Sequence, residues 1–300
     1  MTTRREFVAG TGAAFAAAAV GTDSAHALFG LERIERIERI ERIERNERIE
    51  RIERIGLQLY TVRSEMAKDV AATIARVAQI GYKEVEFAGY FRLEPARIRE
   101  LLDANRLTSP SVHTAIEILE RDFDAQAAAA KVIGHAVLIV PSLNTRTLTS
   151  IDAWKEVAKR FNALGRKAHD AGLRFAFHNH AVEPIPVNGT RPYDVLLAET
   201  DPALVDFQMD LYWMIKAGGD PLAYFESNPG RFIAVHVKDA TAAPELAMRD
   251  VGAGSVDWRK IFAERAKAGI RYFIVEHDAP TPDPFTSITA SYDYLAKLTF

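Results

Sequence analysis

The sequence predicts an α/β protein in which residues 55–300 form a (β/α)8 TIM barrel. Eight short apolar runs alternate with amphipathic segments that have helical spacing, and they fill roughly 250 residues, the usual size of this fold. Gly81, Gly172 and Gly269 each follow a helical segment and precede an apolar run, where glycine commonly ends a helix. These observations indicate repeated strand–helix units, which close into a barrel of parallel strands.

The local patterns place the elements in order along the chain. The eight predicted strands are Gly56–Tyr60, Glu84–Phe87, Ser109–His113, Ala136–Val140, Leu173–His178, Val205–Asp210, Phe232–His236 and Tyr272–Glu276. The clearest helices are Lys68–Ile80, Ala96–Ala104 and Asp152–Ala171, the last with Trp154, Val157, Phe161, Leu164 and Ala168 at helical spacing. An open doubly wound sheet is the alternative, but it needs a glycine-rich phosphate turn after an early strand. No such turn is present, and Val251–Gly254 lies late enough to be interpreted as a loop.

The N-terminus has the three parts of a secretory signal. The pair Arg4-Arg5 with Phe7 precedes an apolar run from Val8 to Val20, and Ala25-His26-Ala27 forms a cleavage tripeptide. This pattern is typical of the twin-arginine type and predicts a signal peptide over residues 1–27, with a periplasmic or secreted product. A short N-terminal helix of the mature fold is the alternative. The run is too short to span a bilayer with ease, so no stable membrane insertion is expected.

Between the signal and the barrel, residues 28–54 contain a low-complexity Glu-Arg-Ile repeat that starts at Glu32. A period of three matches neither the helix nor the strand, so the isoleucines form no single buried face. Glu32 and Arg36 begin a series of favourable i,i+4 charge pairs. We interpret the segment as a solvated helical or disordered linker. Self-association through this helix is the alternative, although it has no heptad seam.

The amino-acid composition excludes several kinds of functional site. The chain has no cysteine, which excludes disulfides, thiolate metal sites and a cysteine nucleophile. A formal net charge of -3 gives no basic excess for binding nucleic acid. Only His, Asp and Glu are left as protein ligands for a metal, and the expected partner is a small molecule. The sequence leaves open a homo-oligomer.

Polar residues gather at the predicted strand ends, where the active site of a TIM barrel lies. Asp210, His236 and Glu276 end three successive strands and are therefore expected to be neighbours. Two carboxylates and an imidazole suit one divalent ion, Mn²⁺, Mg²⁺, Co²⁺ or Zn²⁺. The structural alternatives are a helix cap for Asp210, a hydrogen-bonded core histidine for His236 and an ion-pair partner for Glu276.

Several segments resemble the xylose-isomerase-like sugar phosphate isomerase/epimerase family over nearly all of Ile55–Leu298. They are Gly56–Arg63, Phe177–His180, Asp210–Trp213, Ala217–Pro221, His236–Asp239, Val251–Gly254 and Ile274–Asp278. The resemblance implies one divalent metal in a TIM barrel, with ligands Glu, Asp, His and Glu from strands five to eight. The last three correspond to Asp210, His236 and Glu276.

Strand five departs from the family pattern because His178-Asn179-His180 stands where the relatives have a glutamate. We favour His178 as the fourth ligand, with His180 and then Glu183 as alternatives. The missing glutamate also removes one of the family's acid–base pair. The candidate catalytic residues are therefore Glu276, Lys238, His180 and His113. Four residues at or near strand ends are assigned to substrate binding: Tyr60, Glu86, Phe177 and Trp213. Core burial is the alternative for Phe177 and Trp213.

The predicted function is an exported, divalent-metal-dependent sugar isomerase/epimerase that abstracts a proton next to a carbonyl and forms an enediolate. A metal-dependent lyase or hydratase acting on 3-keto-glycosides is the first alternative. A non-catalytic exported sugar-binding barrel is the second. The endonuclease branch of the family is disfavoured by the net charge and by the predicted export.

Overall fold

The computed structural model describes residues 50–300. The predicted signal peptide and most of the predicted repeat linker lie outside the described residues. Eight parallel strands close into a barrel, which confirms the predicted fold class. The strands are β1 Ile55–Gln58, β2 Glu84–Ala88, β3 Thr108–His113, β4 Val137–Val140, β5 Arg174–His178, β6 Val205–Asp210, β7 Phe232–Val237 and β8 Tyr272–Val275. Each strand pairs with its neighbours in sequence, and β8 pairs with β1 to complete the ring.

Helices surround this barrel. Within residues 50–300 the eight main ones are α1 Val70–Ile80, α2 Pro95–Ala104, α3 Ile116–Ile133, α4 Ile151–Asp170, α5 Pro192–Glu199, α6 Pro221–Ser227, α7 Trp258–Ala263 and α8 Pro284–Leu295. Shorter helical turns are Leu59–Val62, Arg63–Met66, Thr145–Thr147, Leu211–Lys216 and Arg265–Ala268, and a small hairpin pairs Asp239–Ala240 with Met248–Arg249. None of the helices within residues 50–300 has both the length and the apolar character needed to cross a membrane.

The helix ends agree with the local sequence signals. Asp69 and Ser150 begin α1 and α4 by accepting hydrogen bonds from backbone N–H groups three residues later. Gly81 has φ 129° and Gly269 has φ 88°, conformations that glycine adopts without a steric penalty. The glycines therefore end helices as the sequence predicts.

Alternation along the strands separates an apolar outer layer from a polar interior. Outward side chains such as Val85, Phe87 and Phe175 belong to the large hydrophobic core shared with the helices. The buried residues within the barrel include the polar Gln58, Glu86 and Gln208 and a small apolar cluster that contains Val137, Ile139 and Ala176. At the amino end of the strands, Arg54 donates hydrogen bonds to Glu84 and Thr108, each at 2.7 Å. This last arginine of the repeat therefore contributes to the barrel floor.

Candidate functional site

Three of the four predicted ligands converge at the carboxyl ends of strands β6 to β8. Asp210 ends β6, His236 lies near the end of β7, and Glu276 directly follows β8. His236 Nδ1 lies 2.8 Å from Glu276 Oε2 and 3.9 Å from Asp210 Oδ2. All three residues are buried, and their potential ligand atoms lie within 4.8 Å of one another. The structure thus brings together residues that are far apart in the sequence.

Asp210 has two separate tasks. Its Oδ1 accepts a hydrogen bond of 2.8 Å from the Trp213 backbone N–H and so caps the helix Leu211–Lys216. Its Oδ2 faces the cluster. The capping alternative raised by the sequence therefore applies together with the site position, and the cap fixes the direction of the carboxylate.

Lys238 joins the acidic residues of the cluster. Its Nζ lies 2.9 Å from Asp210 Oδ2, 2.6 Å from Glu276 Oε2 and 2.9 Å from Asp278 Oδ1. The side chain is only 1% exposed, so Lys238 is not a solvated surface lysine. Burial alone would lower the pKa of Lys238, but the three carboxylates outweigh it and raise the pKa above its usual value. The lysine is therefore a fixed positive charge at the floor of the site.

Glu86 lies one layer deeper and forms the centre of a buried hydrogen-bond network. It accepts hydrogen bonds from Gln58 Nε2 at 2.7 Å, from Gln208 Nε2 at 2.7 Å and from the Ser111 hydroxyl. Its Oε1 also lies 2.7 Å from His236 Nε2 and 3.0 Å from the Nε2 of His113. Burial on its own would raise the pKa of Glu86, but these two imidazoles lower it well below its usual range.

This network corrects the substrate-binding assignment of Glu86. The side chain is fully buried, and protein partners surround both of its oxygens. It cannot reach a substrate, because it lies beneath His236. Its geometry instead orients the histidine ring. Sequence reasoning did not assign Gln58 or Gln208, although Gln208 lies two residues before Asp210 and strand alternation places both on the same side.

Phe177 requires a second correction. It neighbours His178 on β5, so alternation points its ring away from the barrel interior. The ring packs against Phe161 of α4, with ring centroids 5.0 Å apart, and against Phe207. Phe177 is fully buried in the outer core and does not reach the cleft, which makes it a packing residue and not a sugar-stacking one.

The three strand-five candidates occupy different positions. His178 is buried, with Nε2 3.8 Å from Asp210 Oδ2. Burial and the neighbouring His236 lower the pKa of His178 well below its usual range, so its ring is neutral, as a metal ligand requires. His180 lies beside it at the cleft wall, with ring centroids 4.9 Å apart. Glu183 accepts a hydrogen bond of 2.8 Å from the His180 backbone N–H, which makes it a loop-fixing residue.

The donor set fits a divalent cation. In the described chain, the buried His178 Nδ1 beside the cluster has no hydrogen-bond partner, and Asp210 Oδ2 faces the Lys238 ammonium at 2.9 Å without an aligned hydrogen bond. Burial alone would lower the pKa of His236, but Glu276 and Glu86 outweigh it and raise the pKa to about 10, so without a cation both ring nitrogens hold protons between carboxylates. A cation held by Asp210, Glu276 and Nδ1 would replace one proton while Nε2–H keeps its bond to Glu86. This is the carboxylate–histidine–metal arrangement of many metal sites.

A second trio, His113, His178 and His236, also has ligand atoms close enough to hold one ion. In that trio, His113 Nε2 is already within 2.8 Å of Gln208 Oε1. His236 Nε2 is likewise engaged by Glu86. The trio with two carboxylates is therefore the better cation site, because its charged oxygens face one another.

A cleft of about 810 Å³ opens above the cluster. Tyr60, His113, His180 and Trp213 line it, together with Glu276 and Asp278. β1 ends at Gln58, whose side chain caps the turn Leu59–Val62, and this turn presents Tyr60 to solvent at the rim. Asp278, which the sequence analysis left without a role, lies at the rim and accepts a hydrogen bond from Lys238. Of the four predicted substrate-binding residues, Tyr60 and Trp213 therefore line this cavity, whereas Glu86 and Phe177 do not.

Comparison with known proteins gives three informative relatives. An inosose dehydratase from Lacticaseibacillus casei is 26% identical over 273 residues, covering 77% of this chain and 91% of the relative. A sugar phosphate isomerase/epimerase from Parabacteroides distasonis is 27% identical, with a TM-score of 0.72 over 82% of this chain and 98% of that chain. The structure of the IolI protein with a bound zinc atom has a TM-score of 0.65 at 13% identity, over 81% of this chain and 98% of its own, and shares the fold.

The first two relatives are enzymes, which confirms the prediction that this chain is an enzyme. In this chain, the cluster of Asp210, His236 and Glu276 offers the ligand atoms that a divalent metal could use. A family model described as "Xylose isomerase-like TIM barrel" matches residues 74–298, which include β2 to β8 and all four predicted ligands. The resemblance inferred from the sequence motifs is therefore confirmed, and the chain belongs to the xylose isomerase-like TIM-barrel family.

Proposed function

We propose that the protein is a divalent-metal-dependent sugar isomerase/epimerase that removes a proton from the carbon next to a carbonyl group. The observation that carries this proposal is the convergence of Asp210, His236 and Glu276 with Lys238 at the floor of one cleft. Such a set combines cation ligands with a fixed positive charge, and it lies where TIM-barrel enzymes bind their substrates.

The metal would be held by Asp210, His236 and Glu276, with His178 as the fourth ligand. When bound, a divalent ion polarises a substrate carbonyl and makes the adjacent C–H more acidic. Glu86 holds the Nε2–H of His236, so Nδ1 is the ring nitrogen left to face the cation. These residues therefore supply a prepared ligand set.

Proton transfer falls to residues at the cleft wall. His180 lines the cleft and is the first candidate for the base that takes the proton, with His113 and Glu276 as the others. Lys238 places its ammonium among Asp210, Glu276 and Asp278, where it can stabilise the negative oxygen of an enediolate. Return of the proton to the neighbouring carbon gives isomerisation, and return to the opposite face gives epimerisation.

Elimination is a second candidate function. It begins with the same proton abstraction, but the intermediate then expels a β-hydroxyl or β-alkoxyl group, with a proton supplied to the leaving oxygen. The similarity to an inosose dehydratase across 91% of that relative favours it. Substrates of 3-keto-glycoside type would suit this outcome, because the ketone activates the adjacent C–H.

Deuterium incorporation tests the shared first step. Purified enzyme with Mn²⁺ is incubated with keto-sugars in D₂O, and the recovered substrate and product are examined by NMR. We expect deuterium at the carbon next to the carbonyl. Turnover without any deuterium uptake would point to hydride transfer and contradict the proposal. A carbonyl moved to the neighbouring carbon identifies an isomerase, and an inverted configuration at the carbon next to the carbonyl identifies an epimerase. Loss of water or an alcohol identifies the lyase. A sugar-binding barrel without catalysis would give neither.

We also propose that the enzyme works outside the cytoplasm. This rests on the N-terminal sequence, in which Arg4-Arg5, the apolar run and Ala25-His26-Ala27 follow one another as in exported proteins. Few sugar phosphates are available there, which favours a free sugar or a keto-glycoside as substrate.

A further inference from the structure

The cleft above the cluster has two chemically different sides. Strands β5 to β8 contribute the polar side, with His178, His180, Glu276 and Asp278. The ends of β2, β3 and β4, with the start of α3, contribute the other side. Its apolar members, which we call the apolar arm, are Ala88, Tyr90, Val112, Ala115, Ile118 and Pro141.

The apolar arm has no charged side chain. Among the described residues that line this side of the cleft, none is Lys, Arg, Asp or Glu, and the polar ones are His113, Thr114, Gln126 and Ser142. A phosphate or carboxylate would find no cation there, and desolvating such a group without a partner is unfavourable. The arm therefore suits an uncharged apolar group.

The arm is also well ordered by its own packing. The Tyr90 ring stacks on the His135 ring, with an angle of 4° between the planes and 5.9 Å between centroids. His135 is held in turn, because its Nδ1 lies 2.8 Å from the Ser109 carbonyl oxygen. A fixed aromatic wall binds a flat or apolar group with little loss of side-chain entropy.

The arm opens directly beside the proposed reaction centre. His113 lies between the two, with its ring centroid 5.2 Å from that of His178 and 5.4 Å from that of His236. The whole cleft of about 810 Å³ is near the upper end of the roughly 300–1,000 Å³ that drug-sized ligands occupy. A single sugar ring held at the cluster would leave the arm unfilled, whereas a group attached to that ring would enter it.

We infer that the substrate is a glycoside with an uncharged apolar aglycone, aryl or alkyl, that binds in the apolar arm while the sugar ring lies at the cluster. This inference rests on the proposed function for the position of the sugar ring. It names the substrate class within that function, and it separates this class from free sugars and sugar phosphates.

Equilibrium binding to the full chain supplied with Mn²⁺ tests the inference. The probes are phenyl β-D-glucopyranoside, methyl β-D-glucopyranoside, cellobiose and glucose 6-phosphate, none of which has the ring ketone, and binding is measured by calorimetry. We expect the phenyl glucoside to bind about 10-fold or more tightly than the methyl glucoside, because the phenyl ring leaves water. Equal binding of these two glucosides, tighter binding of cellobiose or glucose 6-phosphate, or no binding of any probe would overturn the inference.

Variants test whether the preference for the phenyl glucoside arises in the apolar arm. Ile118→Asp places a charge in the arm and should abolish the phenyl preference. Val132→Asp is the matched control, because Val132 lies on the same helix α3 but is exposed outside the cleft, and it should keep the preference. Ala115→Asp is a second arm variant that should also lose the preference. It is suited to remain folded, because Ala115 is the N-cap of α3 and aspartate is favoured there. A preserved preference in both arm variants would contradict the location.

The failures of the two proposals are distinguishable. Glucosides without a ketone report on binding alone, so the phenyl preference can be measured in an enzyme whose reaction is unknown. Deuterium exchange without a phenyl preference would overturn the aglycone inference and leave the reaction intact. A phenyl preference with deuterium-free turnover would instead overturn the reaction.

Discussion

Glu86 Oε1 lies 2.7 Å from His236 Nε2, although the two residues are 150 positions apart in the sequence. The other ring nitrogen of His236 faces Glu276 at 2.8 Å. One imidazole therefore connects the hydrogen-bond network of the barrel interior to the cluster at the barrel mouth. The direction of His236, and with it the proposed cation site, depends on a carboxylate that no substrate can reach.

Replacing Glu86 by Gln should weaken metal binding without removing a ligand. The amide keeps the size of the side chain but no longer fixes the proton on His236 Nε2. We expect metal affinity to fall roughly 10- to 100-fold, as for other partners of metal-bound histidines. Chelator competition measures this. Glu84→Gln is the control, because Glu84 faces the barrel floor and pairs with Arg54. Equal affinities in the two variants would contradict the orienting role.

Lys238→Met should destabilise the metal-free protein. The change leaves Asp210 and Glu276 buried close together without the ammonium between them. Breaking such buried charge pairs costs about 3–5 kcal/mol in the free energy of unfolding. Urea denaturation should show this loss, and added Mn²⁺ should restore part of it. Lys159→Met, at an exposed position, should change stability little. If the metal-free Lys238→Met protein is as stable as the metal-free parent, Lys238 does not stabilise the buried carboxylates as proposed.

Phe177→Ala should affect folding and spare the cleft. Removing a fully buried ring leaves a cavity between β5 and α4, at a cost of about 3–5 kcal/mol. Thermal or urea unfolding measures this loss, while metal content per folded chain should stay at the parent value. Tyr60→Ala, at the exposed rim, should change stability by about 0.5 kcal/mol or less. A Phe177→Ala protein as stable as the parent would contradict the packing role of Phe177.

Export should depend on the paired arginines. Replacing Arg4 and Arg5 by Lys keeps the charge but alters the twin-arginine pattern. We expect the double variant to accumulate in the cytoplasmic fraction, with the residues after Ala27 still attached to the N-terminal segment. Cell fractionation and N-terminal sequencing measure both effects. Unchanged export of the double variant would count against this type of signal.

The sequence predicts much of this fold because the ends of the apolar runs mark the strand ends, and the carboxyl ends of parallel strands lie at one edge. Asp210, His236 and Glu276 each stand at the end of an apolar run, so their convergence follows from the barrel itself. The glycines after the helices mark the repeated units in the same way.

The two corrected assignments concern how deeply Glu86 is buried and which way the Phe177 side chain points. Glu86 stands two residues before the end of β2, which places it in the buried layer below the rim. Only the closed barrel shows that Gln58, Ser111 and Gln208 surround it. Phe177 could have been assigned correctly from alternation, because its neighbour His178 points inward. The pairing of Lys238 with Asp278 depends on the loop after β8, whose path apolar patterning does not determine.

Metal content tests the central claim most directly. Elemental analysis of the purified parent should find one divalent ion per chain. The Asp210→Asn and His236→Ala variants should lose this ion while retaining the far-ultraviolet circular dichroism spectrum of a folded barrel. Asp206→Asn is the matched control, because it makes the same change on the same strand, at the end where Asp206 pairs with Arg174. That control should keep its ion. Full occupancy in the Asp210 and His236 variants would contradict the proposed site.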